Sequence, residues 1–360
     1  MEIESLNFGK KEFYDIDEFT KYLEFERIDN RIPLILNIIA TISTFKNSTE
    51  FTQSLENENF IIEKEHGNLF LISKLLNKEK IYYYTFFDDR NNVPLFITDA
   101  KKTEDIPNTL FNYINRTREI SNLWISPKIM KEIKDDLSKK YDDMVITYFS
   151  AIRSLNTEVK SELRPNFERN LQYHGSDGKE TLDEMEYYYG VLPKILEIHL
   201  PNGVGFKIDN KGIITVKKGR FGDIFQIIET VIDRLLYLRD EINKSTYSIK
   251  TVGSKNKFSH AVQKPWSIDL PVGMKNDNIP HFCKTIQSNE WNFTLIENVL
   301  INGSMLFTAR IIDDHTGSIF DISTDGQRID IYPVKQADIG TSMRFYEYIV
   351  ENIDNTAKVG

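Results

Sequence analysis

Cysteine is almost absent: the chain of 360 residues holds one, Cys283. A single thiol excludes an internal disulfide and a four-cysteine zinc site, and it points to a reducing compartment such as the cytoplasm. Long apolar runs are missing too. The most apolar stretch, Ile32 to Ile42, spans eleven residues and contains Pro33, Asn37 and Thr41, well short of the roughly 20 residues that cross a bilayer. It is expected to form a buried helix, and no membrane contact is expected. The opening MEIESLNFGKKEF lacks the apolar core of a secretory leader. Glycine and proline are sparse, at 17 and 11, which excludes collagen-like and low-complexity architectures. Phosphate-cradling loops are also lacking, since Gly203-Val204-Gly205 is a lone glycine pair in a hairpin. No Ser or Cys sits in a nucleophile elbow, and no cofactor is expected.

What is present reads as a folded α+β protein. Apolar residues make up 40% and aromatics 12%, chiefly Phe 23 and Tyr 17, a bias that suits pleated surfaces. Residues 1–122 read as an N-terminal module of helices and hairpins. DEFTKYLEF is an amphipathic helix, and Asn47 with Glu50 forms a capping box for the next. Turns at Gly67-Asn68 and Asp88 to Asn92 separate pairs of strands, and Thr103 to Ile120 closes the module as a helix.

Residues 123–243 read as a middle module. Ser126-Pro127 starts a helix, DMVITYFSAI is a strand, and a polar stretch leads to a helix capped by Thr181 and stopped by Gly190. Strands follow at PKILEIHL, VGFKID and GIITVKK. Ile224, Ile228, Val231, Leu235 and Leu238 then lay one apolar stripe along a helix from about Asp223 to Asn243. Residues 244–263 have no period and read as a basic linker. Residues 264–360 read as a third module: strand, helix, four strands, helix. The whole is antiparallel sheets covered by helices, in two or three modules.

That last order resembles one repeat of the TATA-binding-protein fold, and residues 123–243 resemble a looser version, so the two are candidate diverged repeats. The resemblance implies a curved sheet whose concave face meets a partner, in that family by wedging Phe side chains between base steps of the minor groove. It carries over no residue of this chain.

Net charge is −9, so contact with a polyanion requires a local basic surface. Lys207, Lys211, Lys217, Lys218 and Arg220, diluted by Asp209, form one basic stretch, and Lys244, Lys250, Lys255 and Lys257 form a second. Phosphate contacts need cations with little exact geometry, and the two stretches together would make a basic stripe; a solvated surface is the plain alternative. Other candidates compete with structural explanations. Three helices and a hairpin over residues 13–75 give a winged-helix order, but Ser48 to Asn57 carries Glu50 and Glu56 and no base. The run Tyr82, Tyr83, Tyr84, Phe86, Phe87 suits base stacking or a strand buried on both faces. Asp313, Asp314, His315 and Asp321 suit a metal or a hairpin turn. His281 and Cys283, two apart on a helix, do not share a face. Glu197 and His199 share a strand face, as a metal-binding pair or a solvent-facing stripe. The reading that follows is a non-enzymatic protein docking nucleic acid through its backbone, or a protein partner, with no metal site. An adaptor subunit of a larger complex and a divergent metal-dependent nuclease are the alternatives.

Overall fold

The computed structural model describes residues 11–28, 35–252, 258–300, 306–335 and 338–360. The chain divides into two compact units, Met1–Arg153 with Ser161–Leu235, and Ser154–Lys160 with Leu236–Gly360. Both are α+β, and every strand pairing within their sheets is antiparallel.

The first unit is built on one 11-stranded sheet. Its strands are β1 (Leu36–Ser43), β2 (Ile61–His66), β3 (Leu69–Leu76), β4 (Glu79–Asp88), β5 (Val93–Thr98), β6 (Ile120–Asn122), β7 (Val145–Arg153), β8 (Arg169–His174), β9 (Leu192–His199), β10 (Gly205–Asp209) and β11 (Ile213–Lys218). They lie in the order β2-β3-β4-β5-β1-β11-β10-β9-β7-β8, with β6 on β1. The boundary expected between residues 122 and 123 therefore falls inside one sheet, because β1 pairs with β11 through Ile38↔Ile214 and Ile39↔Ile213.

Strand β1 also corrects the helix expected over Ile32 to Ile42; residues 29–34 lie outside the described residues. Every residue of β1 is buried. A strand covered on both faces loses its alternation of polar and apolar residues and cannot be told from a core helix by period. The β-branched Ile38, Ile39, Thr41 and Ile42 carry the decisive preference.

Helices cover both faces. Ile39 and Ile213 join Phe51, Phe60, Tyr83, Phe87, Phe96 and Tyr113 in one core cluster, beneath α2 (Ser48–Asn57) and α3 (Asn112–Arg116). The cap of α2 is as expected: the Asn47 side chain accepts from the Glu50 amide, while the Glu50 carboxylate accepts from the Lys46 amide. The helix expected from Thr103 to Ile120 is shorter, a π-type turn at Pro107–Phe111 running into α3, with Ile120 already in β6. On the opposite face Phe19 of α1 (Ile16–Ile28) stacks on Phe86 at 6.2 Å. Helix α4 (Pro127–Lys140) packs on β9 and α5 (Gly178–Tyr189) on β7. Buried Lys134 ties the two helices, its ammonium 2.5 Å from Asp183 and 3.0 Å from Glu186. Helix α5 starts three residues before the expected Thr181. Gly178 is needed there, since a Cβ would lie 2.3 Å from the carbonyl oxygen of Ile146. Strand β8 lies within the stretch read as polar; it is an edge strand with no buried residue, so it carries no apolar alternation to find.

Helix α6 (Phe221–Lys244) contains the junction of the two units at 235/236. In the second unit, β12 (Thr246–Val252) and β13 (Phe258–Lys264) form a hairpin where a linker is expected. Their sequences are polar at most positions, which hides them from an apolar-period criterion. A six-stranded sheet follows, in the order β15-β16-β17-β18-β14-β19. Its strands are β14 (Trp266–Asp269), β15 (Phe293–Leu300), β16 (Phe307–Asp313), β17 (Ile319–Thr324), β18 (Arg328–Pro333) and β19 (Lys358–Val359). Helices α7 (Asn278–Thr285) and α8 (Ile339–Asn352) cover one face, with ring contacts of 5.7 Å for Phe282 on Phe307 and 5.0 Å for Phe345 on Phe320. The order strand, helix, four strands, helix is as expected. Among the described residues, no helix is long and apolar enough to cross a membrane.

Candidate nucleic-acid interface

Directly opposed residues in antiparallel strands point to the same face. From β8 inward, the register opposes His174 to Tyr148, Tyr148 to Glu197, Glu197 to Lys207, Lys207 to Thr215 and Thr215 to Asn37. One polar row therefore crosses six strands on a face that is half-open to solvent from β8 to β11. Beside it, Lys217 follows Thr215 on the same side of β11. A bulge between Gly205 and Phe206 opposes Lys218 to Gly205. Gly205 leaves room for both neighbours: a Cβ there would lie 2.9 Å from His199 Nδ1 and 3.1 Å from Lys218 Cγ.

The charges on this face are unequal. Lys217 pairs with Glu197 at 2.7 Å, and Glu197 also accepts from Thr147 at 3.2 Å and lies 3.6 Å from His199. Burial alone would raise the Glu197 carboxyl, but the bond and charge of Lys217 outweigh it and hold the group below its ordinary value. Lys102, from the loop after β5, pairs with Asp209 at 2.5 Å. Asp209 is fixed by accepting the amides of Lys211 and Ile213 in the β10–β11 turn, each at 3.0 Å. Lys207 lies between these pairs with its ammonium 4.3 Å from the Tyr148 ring centroid. Burial lowers its proton affinity, and the ammonium groups of Lys102 and Lys217 lower it further, while Glu197 and Asp209 pull the other way without reversing it. His174 lies on the far side of Tyr148, ring centroids 4.5 Å apart. Four lysines (102, 207, 217, 218) thus face two carboxylates (Glu197, Asp209), an excess of two positive charges on a chain of net −9.

The sequence-derived basic set is only partly gathered here. Lys207, Lys217 and Lys218 meet on the face. Lys211 is exposed in the β10–β11 turn, and Arg220 pairs with Asp223 at 3.1 Å. Lys244 belongs to the second unit and pairs with Glu241. Lys255 and Lys257 lie outside the described residues, as does the side chain of Lys250. Sequence reading missed Lys102, Tyr148 and His174, whose only signal is the cross-strand register.

The other candidates resolve into structure. Phe51 and Leu55 bury α2 against the sheet as a cap. Tyr83, Tyr84, Phe86 and Phe87 are all core. Asp313 is fully buried and engaged by Arg344, Thr341 and Thr316; Asp314 accepts from Thr294, and Asp321 from Arg310. Among the described residues, no three His, Cys, Asp or Glu side chains are grouped to hold a metal.

The second sheet also has an open face. Glu297, Arg310, Asp321 and Tyr332 oppose one another in register across it and line a shallow cavity of about 410 Å³. Arg310 grips Asp321 with two bonds of 2.8 and 3.0 Å, and Arg328 bonds Asp330 at 2.8 Å.

Residues 128–211, which span α4 to the β10–β11 turn, match a family middle domain. An uncharacterized protein of Archaeoglobus fulgidus is 31% identical over 349 residues, covering 94% of each chain. The chain belongs to the family of that protein. No solved structure matches.

Proposed function

We propose that this is a non-enzymatic binding protein that docks nucleic acid, through its phosphates, on the open face of the first sheet. The supporting observation is the cation excess around Lys207 on an otherwise anionic molecule. Ion pairing does not disable this surface: the Lys217 ammonium stays partly exposed beside the mostly buried Glu197, and a phosphate arriving from solvent can share it. Tyr148 and His174 add a flat surface on which an unpaired base stacks. The strand–helix–four-strand–helix order of the second unit supports the likeness to a TATA-binding-protein repeat, but its open face carries Glu297, Asp321 and Asp330 against Arg310 and Arg328, a poor match for phosphate.

The test is binding of a random-sequence single-stranded oligonucleotide at about 50 mM salt, where counterion release favours association most. Measurable affinity that weakens with added salt supports the reading; no association at that salt removes it. A second reading, an adaptor that docks a protein, is favoured by one observation. Leu163, Tyr187 and Tyr188 are 45%, 66% and 44% exposed, the Leu163 amide bonds the Tyr188 carbonyl at 2.7 Å, and the two tyrosine rings meet edge to face at 5.0 Å. Exposed aromatics grouped in this way are typical interface anchors.

A further inference from the structure

We infer that Lys207 is a nucleophilic amine, placed to condense with the aldehyde of a phosphorylated ligand. Three features of the open face converge on it. Lys102 and Lys217 are each committed to a carboxylate, Asp209 and Glu197, whereas Lys207 has no carboxylate within ion-pair distance among the described residues and rests on the Tyr148 ring at 4.3 Å. Burial disfavours its ammonium form first, and its cationic neighbours Lys102 and Lys217 disfavour it further against the opposing pull of Glu197 and Asp209, an arrangement of the kind that activates lysines for imine chemistry. The same neighbours, with Lys218, supply positive charge for a phosphate. The lowered proton affinity of Lys207, caused first by burial and then by Lys102, agrees with this geometry.

The chemistry balances without any further reagent. The neutral amine attacks the carbonyl carbon, forming a C–N bond as the carbonyl π bond opens; one proton passes from nitrogen to the alkoxide; the C–O bond then breaks, the hydroxyl leaving as water with the second nitrogen proton while the nitrogen lone pair closes the C=N bond of the imine. The phosphate stays on the ligand throughout.

Pyridoxal 5′-phosphate is the probe, followed by borohydride reduction and peptide mapping of the intact chain. Lys207 is expected to be modified several-fold faster than the exposed Lys139 and Lys211. K207R, which keeps the charge, should abolish the fast modification. K102Q removes a cation and frees Asp209, both of which favour the ammonium, so it should slow modification of Lys207 several-fold and leave Lys139 unchanged. Equal labelling of all exposed lysines, or fast labelling that persists in K207R, overturns the inference. A single-stranded oligonucleotide with an abasic site forms the second arm. Borohydride trapping at Lys207 identifies a polymer-borne aldehyde; pyridoxal phosphate labelling without such trapping identifies a small phosphorylated aldehyde. The inference and the proposed function fail separately, because labelling by the small probe requires no affinity for nucleic acid.

Discussion

Each unit leaves a polar stretch of antiparallel sheet open, β8 to β11 in the first, whose other strands carry helices on both faces, and the face away from α7 and α8 in the second, yet the two place their charges differently. On the second sheet each arginine of the open face is held by an aspartate in its own row or beside it, Arg310 by Asp321 and Arg328 by Asp330. On the first sheet cations outnumber carboxylates, and the central one, Lys207, rests on an aromatic ring. A face whose charges cancel locally is finished as a surface, whereas a face with an excess of one sign is completed by a counter-charged ligand. On the function proposed above, the same residue types serve architecture in one unit and recognition in the other.

The largest effect that sharpens this contrast belongs to the second unit. Asp313→Ala leaves the mostly buried Arg344 without its carboxylate, and removing one partner of a buried pair costs about 3–5 kcal/mol. Denaturant titration should show that loss, with oligonucleotide affinity unchanged where the protein stays folded. Next in size, K207E/K218E should weaken oligonucleotide binding roughly tenfold to a hundredfold at low salt, while R310E/R328E should leave it within error in the same assay. Equal losses in both double variants would erase the distinction between the faces.

A smaller gain is expected from Glu197→Gln, which releases Lys217: affinity at neutral pH should rise several-fold by fluorescence anisotropy. The same variant has a pH signature. Because the folded-state carboxyl of Glu197 is held below its ordinary value, its stabilising contribution is present above the ordinary carboxylate range and lost as pH falls through the depressed value. Wild type should lose that increment in acid; Glu197→Gln has none to lose.

The smallest effect is at Glu229 on α6, where burial first, and then Asp17, raises the carboxyl. Ionising it in the folded state is penalised, so the penalty is absent at pH about 4 and appears as pH rises through the raised value. Glu229→Gln should raise the melting temperature slightly at neutral pH and leave it unchanged in acid. A gain that persists in acid would assign the effect to something other than charge.

How much of this the sequence carried depends on the range of the interaction. Caps and turns act over three or four residues, and those at Asn47, Ser126 and Gly190 stand where local chemistry puts them, as do the hairpins of β2–β5 and β9–β11. The α+β class and the element order of the second unit follow from the same local signals. Strand β1 was hidden because burial on both faces erases period, and β8, β12 and β13 were hidden because they carry too little apolar alternation to mark them as strands. The site was half legible. Lys207, Lys217 and Lys218 stand out as a basic run, but Glu197, Asp209 and Lys102 join them through pairings between distant strands and loops, such as Lys102 with Asp209 and Lys217 with Glu197, which no local pattern encodes. Arg220 and Lys244 were legible as basic, but their commitment to Asp223 and Glu241 depends on side-chain direction.

The salt dependence of oligonucleotide binding tests the central claim most directly. Log affinity plotted against log salt should fall with a slope of roughly −3 for wild type, set by about four phosphate contacts. The slope should flatten by about 1.4 in K207E/K218E and stay at the wild-type value in R310E/R328E. A wild-type slope near zero, or one that the first pair of substitutions leaves unchanged, would contradict the assignment of phosphate contact to the first sheet's open face.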